Sequence, residues 1–194
     1  MRRLLLPAFV IPVLLLAMAA PAVAAPPLKE SGTQQSFYSV SSTCGGNTCT
    51  DRILDAFMVD PQTLVVCLSE YTFNSRTGRM VSEQRNCDET SPEALTITSG
   101  WDVMLAETSI DTVQCGRRGC RTTGTIVVSA DDTSTGLVFT SSDRGTFSDG
   151  ECTYTYRSSG TSAEVAGTMT IDGVVYEQQY GQASITTYST TIRC

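Results

Sequence analysis

Cysteine placement constrains this chain more than any other feature. The pattern Cys-Gly-x-x-x-Cys occurs twice, as Cys44-Gly45-Gly46-Asn47-Thr48-Cys49 and as Cys115-Gly116-Arg117-Arg118-Gly119-Cys120. Cys67, Cys87, Cys152 and Cys194 complete a set of 8. An even number of cysteines behind an export-type N-terminus reads as a disulfide framework. A metal centre fits poorly, because the chain has 0 histidines and a Cys-x4-Cys spacing misses the short clasp usual in zinc sites. A thioredoxin-like redox site requires Cys-x-x-Cys, which does not occur. The sequence therefore implies no cofactor.

The N-terminal residues supply the compartment. Met1-Arg2-Arg3 is basic, Leu4 to Met18 is apolar apart from Pro7 and Pro12, and Ala22-Val23-Ala24 offers the small residues that signal peptidase accepts. A permanent span needs about 20 apolar residues, more than this run provides. Residues 1–25 are read as a signal peptide, so the expected product is secreted, extracellular and free of the membrane after cleavage. Residues 26–35, with Pro, Ser and Gly and no period, are read as a flexible tether. The formal charge of −7 becomes −9 once Arg2 and Arg3 are gone. That excess favours solubility and argues against nucleic acid as a partner.

From Ser36 onward Thr, Ser, Val and Tyr dominate, with Gly, Asp and Asn recurring at strand-length intervals. In Cys152-Thr153-Tyr154-Thr155-Tyr156-Arg157 the alternation puts Cys152, Tyr154 and Tyr156 on one face and Arg157 on the other. Val165, Gly167, Met169 and Ile171 share the next apolar face, and Asp172-Gly173 suits a two-residue hairpin turn. Each Cys-Gly-x-x-x-Cys introduces a comparable β-rich run. The chain is thus read as all-β: an antiparallel, disulfide-stabilised sandwich made of two diverged repeats, residues 36–114 and 115–194.

Turn geometry suggests the pairings. Six residues can close on themselves around a β-turn, which favours Cys44–Cys49 and Cys115–Cys120. Cys67 and Cys87 flank the expected turn at Asn74–Arg79. Cys152 and Cys194, on apolar strand faces far apart in sequence, remain for a bridge across the core.

Without histidine, no Ser–His–Asp or Cys–His nucleophile can be assembled. The remaining acids, Asp88 with Glu89, Asp131 with Asp132, and Asp149 with Glu151, are near neighbours that read more simply as solvated turns than as a catalytic pair. The expectation is therefore a non-catalytic extracellular binding or structural module for an unidentified protein or carbohydrate. A protease inhibitor presenting a disulfide-closed arginine loop is the alternative, followed by a carboxylate-dependent hydrolase. Candidate contact residues are Arg117 and Arg118 on the second Cys-Gly-x-x-x-Cys loop with Arg121 just outside it, Trp101 beside Ser99-Gly100, and Tyr176 and Tyr180 near the C-terminus. For Trp101 packing against the core is the competing role, and for the arginines neutralisation of nearby acidic turns.

Overall fold

Period-2 segments rich in β-branched residues leave the backbone little choice but strands, and the computed structural model is nearly all β. It describes residues 27–116 and 119–194. In chain order the strands are β1 (Leu28–Gly45), β2 (Thr48–Asp60), β3 (Thr63–Asn74), β4 (Met80–Thr90), β5 (Leu95–Ile97), β6 (Val103–Gly116), β7 (Gly119–Ser148), β8 (Thr153–Ile171), β9 (Val174–Glu177) and β10 (Tyr180–Arg193). Among the described residues they form one ten-stranded antiparallel sheet ordered β4-β3-β2-β1-β10-β8-β7-β6-β5, with β9 added beside β8. No helix among the described residues is long and apolar enough to cross a membrane.

The sheet rolls around one apolar core, which draws Phe37, Leu54, Val66, Leu105, Val128, Met169 and Ala183 from seven of the strands. Its two edges meet through side chains rather than through a backbone ladder. Asn86 Oδ1 on β4 accepts a hydrogen bond of 3.1 Å from the Val113 amide on β6, and Asp88 Oδ2 accepts one of 3.4 Å from the Asp111 amide. Strand β5 pairs only with Val103–Leu105, so these bonds fall on the part of β6 that β5 leaves uncovered.

Three of the expected bridges are present: Cys44–Cys49, Cys67–Cys87 and Cys152–Cys194. Cys120 is also disulfide-bonded, and it stands opposite Cys115 on the β6/β7 ladder. The position of Cys152–Cys194 differs from expectation. It joins the ends of neighbouring strands beyond the core instead of crossing it. The reading of residues 26–35 as a tether also needs correction, because Leu28–Gln35 is the first half of β1 and pairs with β10 from Leu28↔Ile192 to Gln35↔Ile185. Asp172-Gly173 forms the expected turn, with φ of 49° and 77°.

Asp132 likewise departs from its sequence reading. It lies within β7 at 1% exposure, not in a solvated turn. Gly167 stands opposite on β8, and a Cβ there would come within 2.5 Å of Asp132 Oδ1. The carboxyl therefore fills the space that the glycine leaves empty. Gln178 Nε2 donates to Asp132 Oδ1, while Asp132 Oδ2, Gln178 Oε1 and Ser39 Oγ are buried without partners. Burial raises the Asp132 pKa to about 6, opposed by the Gln178 hydrogen bond. A folded pKa above the unfolded one means that the native state holds its proton longer. The associated stability is complete below about pH 4 and is lost as the pH rises through about 6. Asp132→Asn, which cannot ionise, is expected to melt above wild type at pH 8, with the gap closing towards pH 4. Parallel melting profiles across that range would contradict this assignment.

Candidate functional site

The residues singled out from the sequence do not form one site. Arg117 and Arg118 lie outside the described residues. Arg121 is exposed near the start of β7. Trp101, at φ 70°, is half-buried and packs on the core, the competing role named for it. Tyr176 also packs on the core, under the Arg52 guanidinium at 4.4 Å from its ring centroid, and Arg52 pairs with Glu70 at 3.0 Å. Tyr180 is 46% exposed and meets Tyr38 edge-on at 6.1 Å.

A different surface stands out. Residues 28–35 of β1, 185–193 of β10, 153–162 of β8 and 138–148 of β7 run past the core as a four-stranded extension. A bulge between Ser134 and Val138 marks its beginning on β7. Cys152–Cys194 ties its far end, where Asp149 Oδ1 also accepts from the Glu151 and Cys152 amides at 3.0 and 2.8 Å. These backbone donors, the Cys152 amide first, hold the Asp149 pKa below its ordinary value.

The outer face of the extension is aromatic. Tyr188 lies over Gly32 and Tyr156 over Gly145, each opposite its glycine in register. A Cβ at either glycine would collide with the ring, 2.8 Å from Tyr188 Oη or 2.5 Å from Tyr156 Cε1. Tyr154 stacks on Phe147 at 4.7 Å with the planes 6° apart. Tyr154 Oη donates to Asp149 Oδ2 at 2.9 Å, and Tyr156 Oη to Asp143 Oδ2 at 3.2 Å. Those bonds raise both phenol pKa values, since a donated proton is harder to remove.

The inner face continues the face that carries Phe37, Ala183 and Ala163 in the core, but it bears hydroxyls and bases. One row across the four strands is Thr33, Thr187, Ser159 and Ser142; the next is Ser31, Ser189, Arg157 and Arg144. A third is Lys29, Thr191, Thr155 and Thr146. A cleft of about 850 Å³ lies over Thr187, Ser159 and Ser142 of the first row and Ser189, Arg157 and Arg144 of the second, and is also bordered by Asp143, Ser158 and Tyr188. A second, of about 320 Å³, shares Arg157 and Ser189 and reaches Lys29.

Charge is sorted by face. Within the extension's strands the basic residues are Lys29, Arg144, Arg157 and Arg193, and register puts all of them on the inner face. The acidic residues there, Glu30 and Asp143, are on the outer face. Arg144 and Arg157 stand directly opposite each other on neighbouring strands. Among the described residues the acidic side chain engaged in an ion pair is Glu70, with Arg52, and neither Arg144 nor Arg157 has a carboxylate partner.

Sequence reasoning missed this surface. Alternation along β8 does separate Arg157 from the tyrosines, but only the β7/β8 register brings Arg144 to it. Among the described residues no cluster of three or more His, Cys, Asp or Glu side chains could hold a metal ion. Comparison with protein-family models, curated proteins and solved structures found no match.

Proposed function

We propose that this chain is a secreted, non-catalytic binding module that holds an extracellular carbohydrate on its four-stranded extension. The observation that carries this reading is the extension itself. It adds almost nothing to the apolar core, yet it is closed by a disulfide and presents an accessible hydroxyl-lined cleft on one face. Rows of Ser and Thr can donate to and accept from sugar hydroxyls, and side chains on a paired sheet lose less entropy on binding than side chains on a free loop. The pinned tyrosines opposite offer flat apolar surface of the kind that sugar ring faces cover. A hydrolase would place two carboxylates about 5–10 Å apart across a groove, whereas register alternates Glu30 and Asp143 away from the row of Arg144 and Arg157, and the Tyr156 hydroxyl engages Asp143.

The reading includes an internal duplication. Each half has a Cys-Gly-x-x-x-Cys near its start, followed by strands joined through a second bridge, Cys67–Cys87 in one half and Cys152–Cys194 in the other.

Affinity electrophoresis of residues 27–194 through gels containing dissolved polysaccharides tests the function. Retardation by at least one polysaccharide is expected. Uniform mobility in neutral and acidic polysaccharides, with no capture on a glycan array, would end this reading.

A further inference from the structure

We infer that the inner face of the extension is an anion-binding site, and that its ligand is an acidic polysaccharide whose carboxylate or sulfate groups sit on Arg144 and Arg157. This rests on the carbohydrate-binding function proposed above and names the class of carbohydrate.

Electrostatics carry the inference. Like charges directly opposite on neighbouring strands destabilise a sheet. Arg144 and Arg157 occupy such a pair, and neither has an acidic partner. The shortage is not one of acids, because the chain has 20 Asp and Glu against 13 Lys and Arg. It is one of placement: Asp143 and Glu30, the immediate neighbours of Arg144 and Lys29, point to the other face. Asp143 is engaged there by the Tyr156 hydroxyl. The inner face is thus locally positive on a protein whose net charge is negative.

A bound anion would remove the repulsion. Guanidinium groups present planar forks that match carboxylate and sulfate oxygens, and two opposed forks can take one group between them or two successive groups along a polymer. Ser142, Ser159 and Ser189 flank the pair as hydroxyl partners. Lys29 in the adjoining cleft adds a further positive charge along the same face. Arg157 and Ser189 belong to both clefts, which fits an extended chain better than an isolated small ion.

The test compares binding of residues 27–194 to polygalacturonate, heparin, dextran and poly-glutamate. Wild type is set beside Arg144→Gln/Arg157→Gln and the charge-matched control Arg76→Gln/Arg79→Gln, at exposed positions of the β3–β4 turn. Wild type should bind polygalacturonate or heparin, more weakly as salt rises, and should bind dextran at least tenfold less well. The site variant should lose about tenfold or more while the control keeps its affinity. Without ligand, the site variant should melt no lower than wild type, since it relieves the opposed charges, and only wild type should gain melting temperature from the acidic polymer. Arg144→Lys/Arg157→Lys, which keeps charge but not the fork, should fall between the two. Retention of affinity in the site variant, or equal loss in the control, would overturn the assignment. So would tighter binding to poly-glutamate than to either acidic polysaccharide, which would make the ligand an acidic peptide. Binding to dextran alone would refute the anionic ligand and leave the carbohydrate function standing. Binding to none of these polymers would count against both.

Discussion

Replacing Gly167 by alanine should lower the melting temperature by about 10 °C or abolish folding. A Cβ at this position would lie 2.1 Å from the Asp131 carbonyl oxygen and 2.7 Å from the Asp132 Cα. Both are backbone atoms of the neighbouring strand, so no side chain can swing away to make room. Overpacking in a well-packed core ordinarily costs about 1–3 kcal/mol, and a forced separation of two paired strands belongs at or above the top of that range. Each kcal/mol corresponds to about 2–4 °C in a domain of this size. Gly45→Ala is the natural comparison. Nothing lies within 4 Å of its added Cβ, so a melting temperature close to wild type is expected. Near-equal melting of the two variants would show that β7 and β8 can separate at Gly167 without penalty, contrary to the packing described.

The second large effect concerns the bridges. Replacing Cys152 and Cys194 together by alanine should destabilise far more than replacing Cys44 and Cys49. The first pair is separated by 42 positions and the second by 5. On the chain-entropy account, closure of the longer loop contributes about 4 kcal/mol and closure of the shorter about 2 kcal/mol. Position adds to the difference. Cys44 and Cys49 are already opposed by the β1/β2 ladder and its tight turn, whereas Cys152–Cys194 secures the end of the four-stranded extension. Chemical denaturation of both double variants under oxidising conditions gives the comparison. Equal losses, or a greater loss at Cys44–Cys49, would mean that loop closure is not what these bridges contribute.

Local features were legible in the sequence where they depended on neighbours in the chain. The strand alternation of β8, the Asp172-Gly173 turn and the Cys67–Cys87 pairing about the Asn74–Arg79 turn all follow from short-range chemistry. Features set by distant register were not. Leu28–Gln35 has no apolar period because its strand faces the solvent on both sides, so nothing distinguishes it from a tether until β10 is beside it. Asp132 resembled an ordinary turn acid because the Gly167 that makes room for it is 35 positions away. The opposition of Arg144 and Arg157 exists in neither strand alone. In Trp101 and Tyr176 the large aromatic area that suits a contact surface is also what commits them to packing on the core.

The pairing of β1 with β10 also fixes an order of events. The first strand sits in the middle of the sheet, and its partner on one side is the hairpin strand β2. Its other side waits for residues 180–193, so contacts such as Leu28↔Ile192 span nearly the whole described chain. Topologies dominated by such distant pairings fold slowly, because the entropy of closing the chain is lost before the contacts form. Ribosomal synthesis, at about 5–20 residues per second, delivers β10 many seconds after β1. Until then the β1 edge is an open template for pairing with another copy. Its first half, Lys29-Glu30-Ser31-Gly32-Thr33-Gln34-Gln35, is polar, charged and glycine-containing. A segment of that composition adheres poorly to other strands while it waits.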